Sequence, residues 1–340
     1  MNTSPLTPGP RALQPPQGRG RTLARKLSEV LTGHPSRAAI TLFALVISIF
    51  TALLALPAAA ADHTATRLVD AALTATSAVT VTGLTSLGPE HFSFFGQLII
   101  LTAIQVGGLG IVTLGAWLSL LVSRRLSLRT RMLSTESLGV TKLGEVPALL
   151  ITVVMFTLTI EALLALIMLP VFIEQLGGAD GTFHAIFYAV SAFSNAGFTL
   201  DFTALDHPVV MTTINIGVFA GALGFPVVYM LFRMIFYRAR MNLHSRLTLE
   251  VTVLLLLGGA ALVAIFEWNN PATLGPLSIP DKFHQAIFAS GMTRSGGFST
   301  YEVMDQTDQT LLITNVLMFI GGGAGRRRPT GPAREPPVRC

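Results

Sequence analysis

Cysteine is all but missing from this chain. The single one, Cys340, closes its 340 residues, so neither an internal disulfide nor a cysteine-rich metal site is available. Charge is scarce as well: Asp, Glu, Lys and Arg make up 12% of the residues, about half the share in a soluble domain. A cleavable signal pattern is absent, because residues 1–37 are polar and rich in Pro, Gly and Arg, which reads as a disordered cytosolic arm. So are the motifs of hydrolytic chemistry: no Gly-x-Ser-x-Gly elbow, His-Glu-x-x-His or paired intramembrane aspartates occur. An intramembrane enzyme built on His184, His284, Glu161 and the serines is therefore the weaker reading. What fills the chain is apolar. Hydrophobic residues make 51% of it and the mean hydropathy is +0.62, the profile of an all-α integral membrane protein. The net charge of +5 sits in loops and does not argue for nucleic acid.

The apolar spans fall in order. The first, 38–59, is long enough to cross about 30 Å of hydrocarbon. Residues 66–79 are too short to cross and read as a re-entrant helix, followed by a full span at 92–122. A second set runs 147–173, 182–193 and 208–236, the last interrupted by Gly217, Gly221, Gly224 and Pro226. A third begins with 247–266 and 281–292, and its final helix starts near Thr310. These boundaries predict an arm at 1–37 and units at 38–123, 147–236 and 247–325. Cytosolic loops at 124–146 and 237–246 join the units, and a tail at 326–340 follows. Lys and Arg number six in the arm, five from Arg124 to Lys142 and four from Arg233 to Arg246, while Arg67 and Lys282 are nearly alone opposite them. The positive-inside rule then puts the N-terminus and the inter-unit loops in the cytosol.

Each short helix ends in a similar polar turn. Thr80-Val81-Thr82-Gly83-Leu84, Ser194-Asn195-Ala196-Gly197-Phe198 and Arg294-Ser295-Gly296-Gly297-Phe298 each finish in glycine and a large apolar residue. The second and third superpose at a spacing of 100 and the first precedes the second by 114, which marks an internal repeat. Non-helical backbone at membrane depth is tolerated where it lines water or an ion path. Glycine reaches angles closed to other residues, and carbonyls ringed around an axis can replace the hydration shell of a monovalent cation. A single such turn reads more simply as a connector between helices; three equivalent turns favour the ion path.

Polar groups inside the spans stand out. Glu161 lies mid-span and needs a cationic or polar partner, as a structural buried pair or as an ion-handling group. Gln105 reads equally as a packing hydrogen bond or as pore-facing. Arg294, inside the third turn, would repel permeating cations if it faced them, so it is expected to point backwards toward a carboxylate, with Glu161 as the candidate. His184 and His284 share one position at the start of two short helices, where a solvated or capping role is commoner than metal binding.

Five words together carry a resemblance: Thr-Gly-Leu-Thr at 82–85, Gln-Val-Gly-Gly-Leu-Gly at 105–110, Ser-Asn-Ala-Gly-Phe at 194–198, Thr-Arg-Ser-Gly-Gly-Phe at 293–298 and Met-Phe-Ile-Gly-Gly-Gly-Ala-Gly at 318–325. They resemble the TrkH/KtrB family of potassium transporters over residues 38–325, and the chain begins close to its first unit, as the KtrB branch does. The resemblance implies channel-like helix–pore loop–helix units in a bacterial plasma membrane. It implies uptake of K+ as the transported ion through four filter turns, with no cofactor, in the translocating subunit of a Trk/Ktr-type system. Thr80, Val81, Thr82, Gly83, Ser194, Asn195, Ala196, Gly197, Arg294, Ser295, Gly296 and Gly297 are the filter positions so expected. Gly321, Gly322, Gly323, Ala324 and Gly325 correspond to a gate below the filter. A homodimer in membrane lipid, regulated by a cytosolic nucleotide-binding ring of the TrkA/KtrA kind, is implied too.

The sequence departs from that pattern after Gly325. Family members carry four units, whereas here an Arg/Pro/Gly-rich run from Arg326 to Cys340 follows the third. This composition has the look of a shifted reading frame or a truncation, and three turns cannot close a four-sided filter within one chain. A non-conducting fragment of such a subunit is therefore the alternative expectation.

Overall fold

A computed structural model describes residues 35–125, 146–201, 207–224 and 243–320, together with 205 and 234. Among them the helices are α1 (Pro35–Leu54), α2 (Leu68–Val79), α3 (Phe94–Arg125), α4 (Val146–Leu176), α5 (Gly178–Phe193), α6 (Pro208–Leu223), α7 (Leu243–Glu267), α8 (Ile279–Met292) and α9 (Asp308–Ile320). The described residues form no strand; one isolated bridge joins Ala60 to Phe92. The fold is all-α, and it is that of a membrane protein.

The chain divides after Leu45. Up to that point the described residues are the opening turns of α1; everything below concerns the unit from Val46 onward. Within α4 and α7, Ile151–Leu176 and Arg246–Glu267 are apolar and long enough to cross a bilayer. Leu163, Leu166, Leu254 and Ile265 stand exposed along them, as helices surrounded by lipid require. The helices α2, α5 and α8 have 12, 16 and 14 residues. At about 1.5 Å per residue these reach only part way across.

Local chemistry sets the ends of the short helices. Leaving α4, the chain turns at Gly177, whose φ of +88° only glycine adopts easily, and re-enters a helix at once. That is why α5 starts at Gly178, four residues before its expected start at 182. At the head of α8, the Ser278 side chain caps the helix by accepting from the Asp281 backbone N–H, with Pro280 in the first turn. The expected span at 208–236, read as interrupted at Gly217, Gly221, Gly224 and Pro226, breaks at Gly224, and its continuation lies outside the described residues. Helix α6 ends at Leu223 because Gly224 takes φ +74° and its N–H turns back to the Gly221 carbonyl. Residues 225–233 and the gate run Gly321, Gly322, Gly323, Ala324 and Gly325 lie outside the described residues, as do most of the basic loops.

The short helices are packed among the long ones: α5 between α4 and α6, α8 against α7 and α6, and α2 against α3. Tyr188, Phe172, Phe187, Phe288 and Ile104 are fully buried at the centre, and the Phe172 and Tyr188 rings stack at 5.4 Å and 11°. This core holds the C-terminal ends of α2, α5 and α8 in place, and the three polar turns leave from those ends.

Candidate functional site

Two of the turns are closed by the same pair of backbone bonds. After α2, the Val81 N–H donates to the Ala78 carbonyl at 3.3 Å and the Thr82 N–H to the Ser77 carbonyl at 2.8 Å. After α5, Asn195 N–H donates to Ala192 at 3.1 Å and Ala196 N–H to Ser191 at 2.8 Å. This double closure is a Schellman motif, which needs a left-handed residue just past the helix. Val81 and Asn195 occupy it, at φ 55° and 58°. The third turn closes through Arg294 N–H to Gly291 at 3.2 Å and Gly296 N–H to Met292 at 3.0 Å, and its left-handed residue is Ser295 at φ 67°. Two residues further on, Gly83, Gly197 and Gly297 are left-handed again, at φ 83°, 70° and 76°. All three turns thus take a positive φ at their first and third residues and not at the residue between.

The turns also meet. A Cβ on Gly83 would lie 2.3 Å from the Ala196 carbonyl oxygen, and one on Gly197 would lie 2.7 Å from Gly297 Cα. Both the sign of φ and the room for backbone against backbone therefore demand glycine here. Of the twelve sequence-predicted residues, Gly83 lies against Ala196 and Gly197, and Gly197 against Gly296 and Gly297, with Gly83, Gly197 and Gly297 lining a common cavity of about 450 Å³. Thr85, Ser86, Glu90, Thr199 and Ser299 also line it, and Glu90 is the only acidic residue among its described walls.

Behind the second turn the short helix sends out three polar side chains to the strand of chain that follows. Ser191 Oγ donates to the Phe198 carbonyl at 2.9 Å. The buried Tyr188 hydroxyl donates to the Asp201 carbonyl at 2.6 Å and accepts from the Leu200 and Asp201 N–H groups at 3.2 and 3.3 Å. His184 Nε2 lies 3.4 Å from Asp201 Oδ2, while its Nδ1 lies 2.9 Å from the Asp180 carbonyl oxygen. The first turn is backed by Asp70, which accepts from Ser86 Oγ at 2.7 Å, and the third by Gln285, which accepts from Thr300 Oγ1 at 2.6 Å. Sequence reading missed these braces, because a Tyr on an apolar helix face carries no signal of which backbone it will reach.

The expected partnership of Arg294 with Glu161 is not what the structure holds. Glu161 Oε2 accepts from Gln105 Nε2 at 3.0 Å, and Arg294, buried to 4% exposure, pairs with no carboxylate among the described residues. One of its terminal nitrogens, Nη2, has no hydrogen-bond partner there. Gln105 thus bonds a carboxyl of α4, and it lines a different cavity from the one the three turn glycines share. His184 and His284 do share a helix position but not a role. His284 Nε2 lies 2.7 Å from Thr212 Oγ1, and His184 is tied to Asp180 and Asp201 rather than solvated. A second buried carboxylate, Glu267, accepts from Asn270 Nδ2, Thr273 Oγ1 and both N–H and Oγ1 of Thr307, joining the end of α7 to the start of α9.

Comparison with known proteins yields one family and several relatives. The family model described as TrkH, cation transport protein, matches residues 29–326. The chain is 34% identical over 261 residues to the Ktr system potassium uptake protein B of Bacillus subtilis, covering 75% of this chain and 58% of that protein. It is 35% identical to the protein of the same name from Vibrio alginolyticus, covering 76% and 58%. It is 34% identical to the potassium/sodium uptake protein NtpJ of Enterococcus hirae, covering 83% and 63%. The chain thus spans about 58–63% of the length of these relatives. Among solved structures, the potassium transporter TrkH from Vibrio parahaemolyticus aligns with a TM-score of 0.57 at 19% identity, covering 82% of this chain and 56% of that one, a likeness of fold.

Proposed function

We propose, from the premise that this chain belongs to the TrkH family of cation transport proteins, that it carries potassium across the membrane past its three polar turns. The observation that carries this reading is the shared sign pattern of φ at 81–83, 195–197 and 295–297. A backbone whose φ changes sign from one residue to the next turns its peptide planes over, and so can bring carbonyls that a strand would alternate onto one side. Carbonyls gathered in this way can stand in for the water of a monovalent cation. The C-terminal ends of α2, α5 and α8 add to the attraction, because a helix C-terminus carries roughly half a negative charge. The relatives named for potassium uptake support potassium as the ion, and the one named for potassium and sodium makes sodium the competitor to measure.

In this reading the chain is the translocating subunit of a Trk/Ktr-type system in a bacterial plasma membrane, with its N-terminus cytosolic. The units are 38–123, 147–236 and 247–325, joined by cytosolic loops at 124–146 and 237–246. Gly321, Gly322, Gly323, Ala324 and Gly325 form its gate. A second copy of the chain, a cytosolic nucleotide-binding ring and membrane lipid are the partners the reading carries.

The test is potassium uptake in cells stripped of their own uptake systems. They would express either the 340-residue chain or the same chain extended by the matching remainder of a Ktr relative, each with and without Gly83→Ser. Uptake that favours potassium over sodium and loses that preference with Gly83→Ser is expected. An unchanged preference in the variant would remove Gly83 from the ion path, and no uptake by either protein would remove the transport reading.

A further inference from the structure

Glu161 and Gln105 form a pair that is only half satisfied. Glu161 is 5% exposed and its Oε2 accepts from Gln105 Nε2 at 3.0 Å. Each side chain then has one oxygen left, Glu161 Oε1 and Gln105 Oε1. Both are buried and without a hydrogen-bond partner among the described residues. If the glutamate were ionised, both remaining oxygens would be acceptors, and neither could satisfy the other.

Among the described residues lining the site there is no other free side-chain donor. The pair sits at the wall of a cavity of about 400 Å³ between α3, α4 and α5, lined otherwise by residues such as Leu101, Leu158, Ala162, Ala165, Ile186 and Val190. No Lys, Arg or His is among the described residues of that wall. Thr102, also on it, gives its hydroxyl proton to the Leu98 carbonyl. The charged groups on the same elements lie elsewhere. Glu174 is near the far end of α4, and Asp180, His184 and Tyr188 on α5 are grouped around Asp201. Helix α6 carries no titratable side chain.

Glu267 supplies the contrast within the same molecule. It is equally buried but receives four hydrogen bonds from neutral donors, so its carboxylate needs no proton. Glu161 receives one. We propose that Glu161 carries a proton in the folded protein and closes a two-bond acid–amide ring with Gln105. Gln105 Nε2–H donates to Glu161 Oε2, and the Glu161 Oε1 hydroxyl donates to Gln105 Oε1. The site is a proton site within the membrane, and the proton is its only ligand, because both oxygens are closed to anything as large as water.

The ring latches α4 to a segment of α3 that meets the end of α2 and the second turn. Two residues past Gln105, a Cβ on Gly107 would lie 2.1 Å from the Val79 carbonyl oxygen, and one on Gly108 would lie 3.0 Å from Ser194 Oγ. Losing the proton would set two bare oxygens in the latch and loosen the packing behind the first and second turns.

Infrared spectroscopy of the purified 340-residue chain in lipid nanodiscs tests this without any transport assay. At neutral pH an ordinary glutamate is ionised. The wild type should nevertheless show a protonated carboxylic C=O band, shifted in heavy water and missing from Glu161→Gln. Glu161→Gln offers an amide donor and acceptor in the same places, so its melting temperature should match the wild type, whereas Glu161→Ala should melt lower. The proposal is overturned if Glu161→Gln removes only ionised-carboxylate bands, or if it melts as low as Glu161→Ala. It is overturned too if sodium or potassium raises the melting temperature only while Glu161 is present, since the pair would then hold a metal cation. Should both variants misfold, alkaline titration of the wild type decides. A protonated band present at neutral pH and lost at high pH supports the proposal, and its absence at neutral pH refutes it.

Discussion

At the scale of single residues, Tyr188 carries the brace that the proposed ion path depends on most. Its hydroxyl serves the Asp201 carbonyl and the N–H groups of Leu200 and Asp201, all from a ring with no exposed surface. The same layer of the first turn is less well served: Ser77, at the position of Ser191, has a buried hydroxyl without a partner among the described residues, while Ser191 bonds the Phe198 carbonyl. Tyr188→Phe keeps the stacking on Phe172 and removes only the hydroxyl, leaving buried backbone groups unpaired. We expect a loss of about 1–3 kcal/mol in stability and a fall in potassium-over-sodium preference larger than the fall in total uptake. Melting of the purified protein and paired ion-uptake assays measure the two; an unchanged ion preference would reduce Tyr188 to a packing residue.

At the scale of elements, the long helices approach the ends of the short ones through glycine. A Cβ on Gly107 of α3 would lie 2.1 Å from the carbonyl oxygen of Val79, the last residue of α2, and one on Gly221 of α6 would lie 2.0 Å from that of Phe193, the last residue of α5. Gly258 of α7, by contrast, has nothing within 4 Å of such a carbon. Gly221→Ala should therefore cost about 1–3 kcal/mol through overpacking, whereas Gly258→Ala should be neutral or gain up to about 1 kcal/mol from helix propensity. Thermal unfolding in detergent compares them, and equal effects would contradict the contacts. These elements were largely legible beforehand, since apolar runs near 20 residues and short segments ending in Gly83, Gly197 and Gly297 follow from bilayer thickness and backbone chemistry. The end of α6 at Leu223 was not, because four interruptions from Gly217 to Pro226 left the break undetermined until Gly224 took its positive φ. Nor was the separation of Arg294 from Glu161, because a sequence names the charges a bundle contains but not the rotation of each helix about its axis. Val81 was illegible for a different reason: a β-branched residue is the last to be expected in a left-handed position.

At the scale of the whole molecule, three turns from distant parts of the chain share one cavity and touch backbone to backbone, so an ion bound there would bear on all of them together. If the proposed path is right, potassium added to the purified protein should raise its melting temperature more than sodium or choline does, since whatever binds only the folded state stabilises it. The increment should vanish in Gly83→Ser, and an equal response to all three salts would speak against a potassium site. Val81, Asn195 and Ser295 give this expectation a further edge. Each is a non-glycine residue held at a positive φ, a conformation that costs on the order of 1–3 kcal/mol and persists only where its surroundings over-determine it. On the proposed reading the three turns would behave as a loaded spring, with α2, α5 and α8 as the frame and the cation as part of the catch. Drawing the ion out releases tension locally, long before the helices themselves give way. Amide hydrogen exchange at 80–84, 194–198 and 294–298 should then quicken on potassium removal while exchange along α4 and α7 stays slow.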